Sequence, residues 1–236
     1  MSDWSPDMVR LMRDASERSD YHERLAEAID DMLGSVAGLR VCDAGCGLGY
    51  LAMAMARRGA RVTAIDAAQA PLKALHTALL TSCITHVDVW RQDVWQLPED
   101  VRFDAMVFCL FGAFEETLAL ARKHCNRLVI VKRGNPTRRF ALGASLRACD
   151  VAAQTRDRLD ALGLPYREQT LTLALDQPFR TIDDALLFFR LYATRDATPT
   201  IDENAVRQRL LPGSSAEFPY VLPAERELTL FAIELC

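Results

Sequence analysis

The run Asp43-Ala44-Gly45-Cys46-Gly47-Leu48-Gly49 places three glycines at alternate positions, directly after an apolar segment and just beyond a carboxylate. A second carboxylate, Asp66, closes the next apolar segment, Val62-Thr63-Ala64-Ile65. Glycine lacks Cβ, so a turn built from it admits positive φ and lets a ligand lie against the backbone. A carboxylate at the tip of the neighbouring strand can accept two hydrogen bonds from a ribose diol. Together the two features read as one site for a nucleoside-bearing ligand across the first crossover of an α/β sheet.

The glycine register separates the candidate ligands. The dinucleotide fingerprint is G-x-G-x-x-G, with a pyrophosphate on the helix N-terminus. Here the pattern is G-x-G-x-G, and Tyr50 stands where that fingerprint wants its last glycine. Asp43 would repel a pyrophosphate and attract a cation. S-adenosylmethionine (SAM) has no phosphate and carries a sulfonium and an ammonium. The run D-A-G-C-G-L-G resembles motif I of the class I SAM-dependent methyltransferases, and Asp66 resembles the acid that ends their second strand. Arg91-Gln92-Asp93-Val94 resembles their adenine-binding element, Phe103–Leu110 their fourth strand and Leu128–Lys132 their fifth. The resemblance is good over residues 36–135 and architectural elsewhere.

That resemblance implies SAM contacts at Asp43, Gly45, Cys46, Gly47, Gly49, Asp66, Ala67, Asp93, Val94 and Cys109. Asp66 would hold the ribose, Asp93 with the Val94 N–H the adenine, and backbone near Gly45 and Cys109 the methionine moiety. It implies transfer of the sulfonium methyl to an O, N or S atom of an acceptor. The fourth strand ends Phe108-Cys109-Leu110-Phe111, which is neither the N/D-P-P-Y of amino-methylating enzymes nor the acidic cluster of magnesium-dependent ones. A small-molecule acceptor is therefore expected. Tyr21 and His22 are the candidate catalytic groups, because the N-terminal helices of relatives cap the cofactor. Phe111, Arg133, Phe189 and Tyr192 are the candidate acceptor contacts. Lys132-Arg133 with Arg138-Arg139 reads either as a seat for an acidic substrate or as a solvated charge run. A non-catalytic SAM-binding protein and a nicotinamide-dependent oxidoreductase are the competing readings; Tyr50 and Asp43 disfavour the second.

These groups need a scaffold that brings strand ends together. Apolar segments at 39–43, 61–65, 86–91, 103–109 and 127–132 alternate with helical patterns, the rhythm of a parallel sheet with right-handed crossovers. Residues 6–18 and 20–33 read as amphipathic helices, with Leu25, Ala28, Ile29 and Met32 on one face of the second. Past the fifth strand, 136–162 reads as a long or broken helix and 170–175 as a strand. Helices follow at 181–193 and 202–211, and a last strand at 226–235. The expected fold is a Rossmann-like, seven-stranded, mostly parallel α/β sheet with helices on both faces. Residues 1–236 form a single domain, with an N-terminal helical cap at 1–35 and a helical lid at 176–225 between the last two strands.

Composition narrows the partners. The chain has 236 residues, a net charge of −4 and 50% hydrophobic residues, enough for one large α/β domain. That charge argues against a nucleic-acid partner, which usually leaves a basic stripe. Seven cysteines and four histidines contain no C-x-x-C or H-x-x-x-H spacing, so no metal is expected. No segment approaches the roughly 20 apolar residues that cross a bilayer, and the charged N-terminal segment lacks a signal-type apolar run. An odd number of cysteines scattered through apolar strands reads as reduced thiols, so a cytoplasmic chain, monomer or homodimer, is expected.

Overall fold

A computed structural model describes residues 4–134, 151–192 and 201–235. In chain order its elements begin α1 (Pro6–Ser16), α2 (Tyr21–Leu33), β1 (Arg40–Ala44), α3 (Tyr50–Arg57), β2 (Arg61–Asp66), α4 (Gln69–Ser82), β3 (Val87–Arg91), β4 (Phe103–Cys109), α5 (Phe114–His124) and β5 (Cys125–Arg133). They continue with α6 (Val151–Ala161), β6 (Tyr166–Ala174), β7 (Gln177–Phe179), α7 (Ile182–Tyr192), α8 (Glu203–Arg207), β8 (Leu211–Pro212), β9 (Tyr220–Leu222) and β10 (Glu225–Glu234). The main sheet has seven strands in the order β3-β2-β1-β4-β5-β10-β6. Its first five run parallel, and β10 lies antiparallel between β5 and β6. This is the Rossmann-like α/β sheet expected from the strand rhythm.

Both faces of the central strands are covered, so these strands are apolar almost throughout. One face carries Val41, Ala105, Val107, Val129, Val131, Leu228 and Leu230 under residues of α1 to α4. The other carries Cys42, Met106, Phe108, Leu128, Ile130 and Phe231 under α5 and α6. Leu51 to Ala56 of α3 are all buried, consistent with a helix held between α2 and the sheet. Gly34, at φ +72°, ends α2 in the left-handed conformation.

The edge strand β6 starts at Tyr166, earlier than the 170–175 segment expected. Its first half, Tyr-Arg-Glu-Gln, is polar because it faces solvent at the sheet edge, so no hydrophobic alternation announces it. The segment between β6 and β10 is not wholly helical. The 202–211 helix stops at Arg207, and β7, β9 and β8 form a small antiparallel sheet. Strands of two or three residues are too short to show a period, which is why a helical lid was expected there. Arg138, Arg139 and most of the 136–162 helix lie outside the described residues.

The small sheet and α7 share a core with the N-terminal helix. Leu11 of α1 packs with Phe179, Ala185, Phe188, Phe189, Val206 and Leu222. Gln177 Nε2 donates to the Leu11 carbonyl at 3.0 Å, and Arg10 pairs with Asp184 at 2.7 Å. Arg180 reaches the buried Asp14 at 3.3 Å, and the Arg18 guanidinium lies 3.8 Å from the Phe218 ring centre. Cap and inserted segment are thus one packed unit.

Candidate active site

At the C-terminal ends of β1, β2 and β4 lies a cavity of about 320 Å³, lined by Gly45, Gly47, Asp66, Ala67, Asp93, Val94, Cys109 and Phe111 among others. The strand-to-helix turn that forms its floor needs glycine. Gly45, Gly47 and Gly49 have φ of +71°, +54° and +71°, a region L side chains rarely occupy. A Cβ on Gly45 would meet the Phe111 ring at 2.5 Å, and one on Gly49 would meet Leu75 at 2.4 Å. Gly47 is met only by the tip of Trp4, at 3.3 Å. The Gly45 and Cys46 N–H groups donate to the Ile65 carbonyl at 2.8 and 3.0 Å, tying the turn to β2.

Asp66 organises the floor. One carboxylate oxygen accepts from the Gly47 N–H at 2.9 Å, and the other from the Ala68 N–H at 2.8 Å. Each oxygen keeps a further lone pair for a ligand hydroxyl. Asp93 caps the one-turn 3₁₀ helix Val94–Gln96 by accepting from the Trp95 N–H at 3.2 Å. Phe111, Trp95 and Phe108 form a stack with ring centres 5.7 to 6.3 Å apart. This stack forms an apolar wall beside the cavity.

Asp43 is 2% exposed, and its Oδ2 has no hydrogen-bond partner among the described residues. Burial, reinforced by the Asp66 charge, raises its pKa to about 7. A buried carboxyl with an open acceptor beside a glycine-floored cavity matches a cationic ligand better than an anionic one. The sign of the linkage follows. Between its ordinary value near 3.9 and about 7 the folded chain holds the extra proton. The stability Asp43 contributes is therefore present at low pH and lost as pH rises through about 7. A cation bound beside Asp43 should expel that proton. SAM affinity should weaken as pH falls from 7.5 to 5.5, approaching about tenfold per unit. Asp43→Asn should flatten the slope. Titration calorimetry in buffers of different ionisation enthalpy would read the released proton; an unchanged affinity across this range would remove Asp43 from the site.

Tyr21 and His22 do not line this cavity. They sit beside it, on the face of the sheet that carries Cys109 and Arg133. Burial, with Arg226 nearby, lowers the His22 pKa to about 3, so its ring is neutral at ordinary pH. Burial raises Tyr21 to about 12 and Cys109 to about 12, so both stay protonated. Cys109 is a cavity wall and not a thiolate. Tyr192 joins the Tyr21 side of the cluster, where its pKa is raised by burial and lowered by Arg226 and Arg133. Phe111 meets the cavity over Gly45. Phe189 does not: it is fully buried in the core of the inserted unit. Its helical spacing marked an apolar stripe, and that stripe turns toward α1. Cys46 and Gly49 support the turn from below and do not line the cavity.

Trp4, Ile65, Ala68, Gln92 and Leu110 also line the cavity and were not anticipated. Leu110 has φ +55° at the end of β4, a strained position for a non-glycine residue beside a ligand site. Trp4 precedes the Ser5 cap of α1, and only the docking of that helix brings its ring over Gly47. Among the described residues no group of His, Cys, Asp and Glu side chains is placed to hold a metal. No helix among them is long and apolar enough to cross a membrane.

A glycine-floored cavity thus lies at the first crossover of a Rossmann-like sheet, with a carboxylate at the tip of β2 and another after β3. Residues 41–130 match the family model described as a methyltransferase domain. Over 103 residues the chain is 43% identical to the ubiquinone biosynthesis O-methyltransferase of Pseudomonas aeruginosa (strain UCBPP-PA14), covering 43% of this chain and 44% of that one. It is 57% identical over 44 residues to the corresponding protein of Acinetobacter baumannii (strain AYE), 19% of each chain. The chain thus spans less than half the length of these relatives. Among solved structures, YcgJ of Bacillus subtilis superposes with a TM-score of 0.58 at 15% identity, over 91% of this chain and all of that one. Magnesium protoporphyrin IX methyltransferase from Synechocystis PCC 6803, solved with SAM, superposes with a TM-score of 0.51 at 19% identity, over 99% and 86%. Residues 41–130 thus carry the sequence pattern of a methyltransferase domain, and the solved structures share the fold of this chain.

Proposed function

We propose that this chain is an enzyme that transfers the sulfonium methyl of SAM to an O, N or S atom of a small-molecule acceptor. The observation that carries the reading is the cavity lined by Gly45, Gly47, Asp66 and Asp93, with Asp43 buried behind the glycine turn and its Oδ2 unpartnered among the described residues. Asp66 is proposed to bind the ribose hydroxyls, Asp93 and the Val94 N–H the adenine, and the backbone around Gly45 and Cys109 the methionine end. When bound, SAM supplies the electrophilic methyl group. The protein's part is then to align an acceptor lone pair with it and to exclude water, from which much of the acceleration in such a displacement arises. Trp4 and Phe111 supply apolar walls for that purpose. A neutral His22 and the Tyr21 hydroxyl are able to hydrogen-bond and orient an acceptor, while burial and Arg226 oppose protonation of the His22 ring.

Residues 1–35 and 176–225 are proposed to cover the acceptor as a cap and lid. Their shared core between Leu11 and Phe188 supports treating them as one cover. Free thiols at Cys42, Cys46, Cys83, Cys109 and Cys125 fit a reducing cytoplasm. The chain is proposed to act there as a monomer or homodimer.

The test is turnover. Incubation with methyl-labelled SAM and a panel of hydroxy, amino and thiol compounds should yield S-adenosylhomocysteine (SAH) and one labelled product. SAM binding with no turnover across the panel would favour a non-catalytic SAM-binding protein. Hydride exchange with a nicotinamide cofactor would replace the reading altogether.

A further inference from the structure

The methyltransferase reading leaves a basic cluster unexplained. Side chains on a strand alternate between faces, so Asp43 of β1, Cys109 of β4, Arg133 of β5 and Arg226 of β10 share the face of Val41, Val107, Val131 and Leu228. These strands are neighbours in the order β1-β4-β5-β10. By register Arg133 lies two strands across from Asp43 and four residues further toward the C-terminal edge, roughly 16 Å away. That edge runs from an acid beside the cofactor cavity, through Cys109 in the cavity wall, to two arginines. Burial, and then the nearby Arg226 charge, lowers the Arg133 pKa, and neither arginine forms an ion pair with an acidic side chain among the described residues. Among the described residues Tyr21 Oη, His22 Nδ1 and Arg226 Nε are buried without a hydrogen bond of good geometry, the Tyr21 hydroxyl having the Arg226 guanidinium near it. The Arg226 guanidinium lies 5.4 Å from the Tyr21 ring centre, and the Tyr21 and His22 rings meet edge-on with centres 4.9 Å apart. Buried polar atoms without partners are costly to keep unless something binds them.

We propose that Arg133, Arg226, Tyr21 and His22 seat an oxyanion of the methyl acceptor, a carboxylate or a phosphate, beside the Cys109 wall of the cofactor cavity. Guanidinium groups match such anions in a planar fork, and the Tyr21 hydroxyl adds a neutral donor. Arg133 is exposed and offers the entry side, while Tyr21 closes the inner one. The acceptor's charge then places its reacting atom between the anion seat and the acidic end of the edge. The specificity lies in β5 and β10, outside the segment that marks the family. This inference rests on the methyltransferase reading.

Calorimetry on SAH-saturated protein would test it, using matched probes: benzoate and hydroxybenzoates against their amides, and phenyl phosphate against phenol, at constant ionic strength. At least one oxyanion probe should bind about tenfold or more tightly than its neutral counterpart. Arg226→Gln and Arg133→Gln should each erase most of that preference, and Arg226→Lys should restore part of it. Affinity for SAH serves as the control for folding. The carboxylate and phosphate arms separate the two anions. Equal binding of charged and neutral probes to the wild type, or a preference that survives in both glutamine variants, would overturn the proposal and leave the methyltransferase reading standing. Failure of the wild type to bind SAH would overturn both.

Discussion

Asp66→Ala should lower the affinity for SAM by at least about tenfold, because charge-assisted hydrogen bonds to a ligand contribute about 1.5–3 kcal/mol. The structure raises that expectation. The same carboxylate holds the Gly47 N–H at 2.9 Å and the Ala68 N–H at 2.8 Å, so its loss also frees the glycine turn. With both effects the loss approaches about a hundredfold. Asp66→Asn should be intermediate, since an amide oxygen retains one acceptor and no charge. Melting temperature should fall by no more than a few degrees in either variant, as Asp66 is half-buried at the C-terminal end of β2 and not in the core. Titration calorimetry with a parallel melt would check this; a folded Asp66→Ala protein with unchanged affinity would place the ribose elsewhere.

Gly49→Val should damage the fold rather than the site alone. At φ +71° a branched side chain is strained by about 1–2 kcal/mol. Its Cβ would fall 2.4 Å from a methyl of Leu75, which is fully buried and has no room to swing aside. Overpacking of this kind costs about 1–3 kcal/mol. The sum, about 2–5 kcal/mol, corresponds to a fall in melting temperature of order 10 °C for a domain of this size. Gly47 is the instructive contrast. A Cβ there would meet only the tip of Trp4 at 3.3 Å, so Gly47→Ala should disturb ligand binding more than stability. Thermal melts of the two variants side by side would separate the roles. A wild-type melt for Gly49→Val would mean that α3 and α4 can part without cost.

Much of the cavity lining was legible because its signals are local. Gly45, Gly47 and Gly49 needed only the strand before them to be placed, and Asp66 and Asp93 only the strands they end. The seven-stranded sheet followed from apolar runs that are buried on both faces. The surroundings of the cavity were less legible because they are assembled by long-range contacts. Phe189 has the spacing of a helix face, and nothing in that spacing says the face turns toward Leu11 and not toward the cavity. Trp4 reaches Gly47 only through the docking of α1. Arg226 resembles any charged residue at the start of a strand until the pairing of Leu228 with Arg133 puts both arginines on one face. The strands Leu211–Pro212 and Tyr220–Leu222 are too short to carry a pattern of their own.

The account turns on what occupies the cavity floored by Gly45 and Gly47. Titrating the protein with SAH by calorimetry, and separately with NAD and NADH, addresses that directly. SAH should bind with a Kd in the micromolar range, about −8 kcal/mol, and neither nicotinamide should give a binding isotherm. Tight nicotinamide binding with no response to SAH would contradict the account.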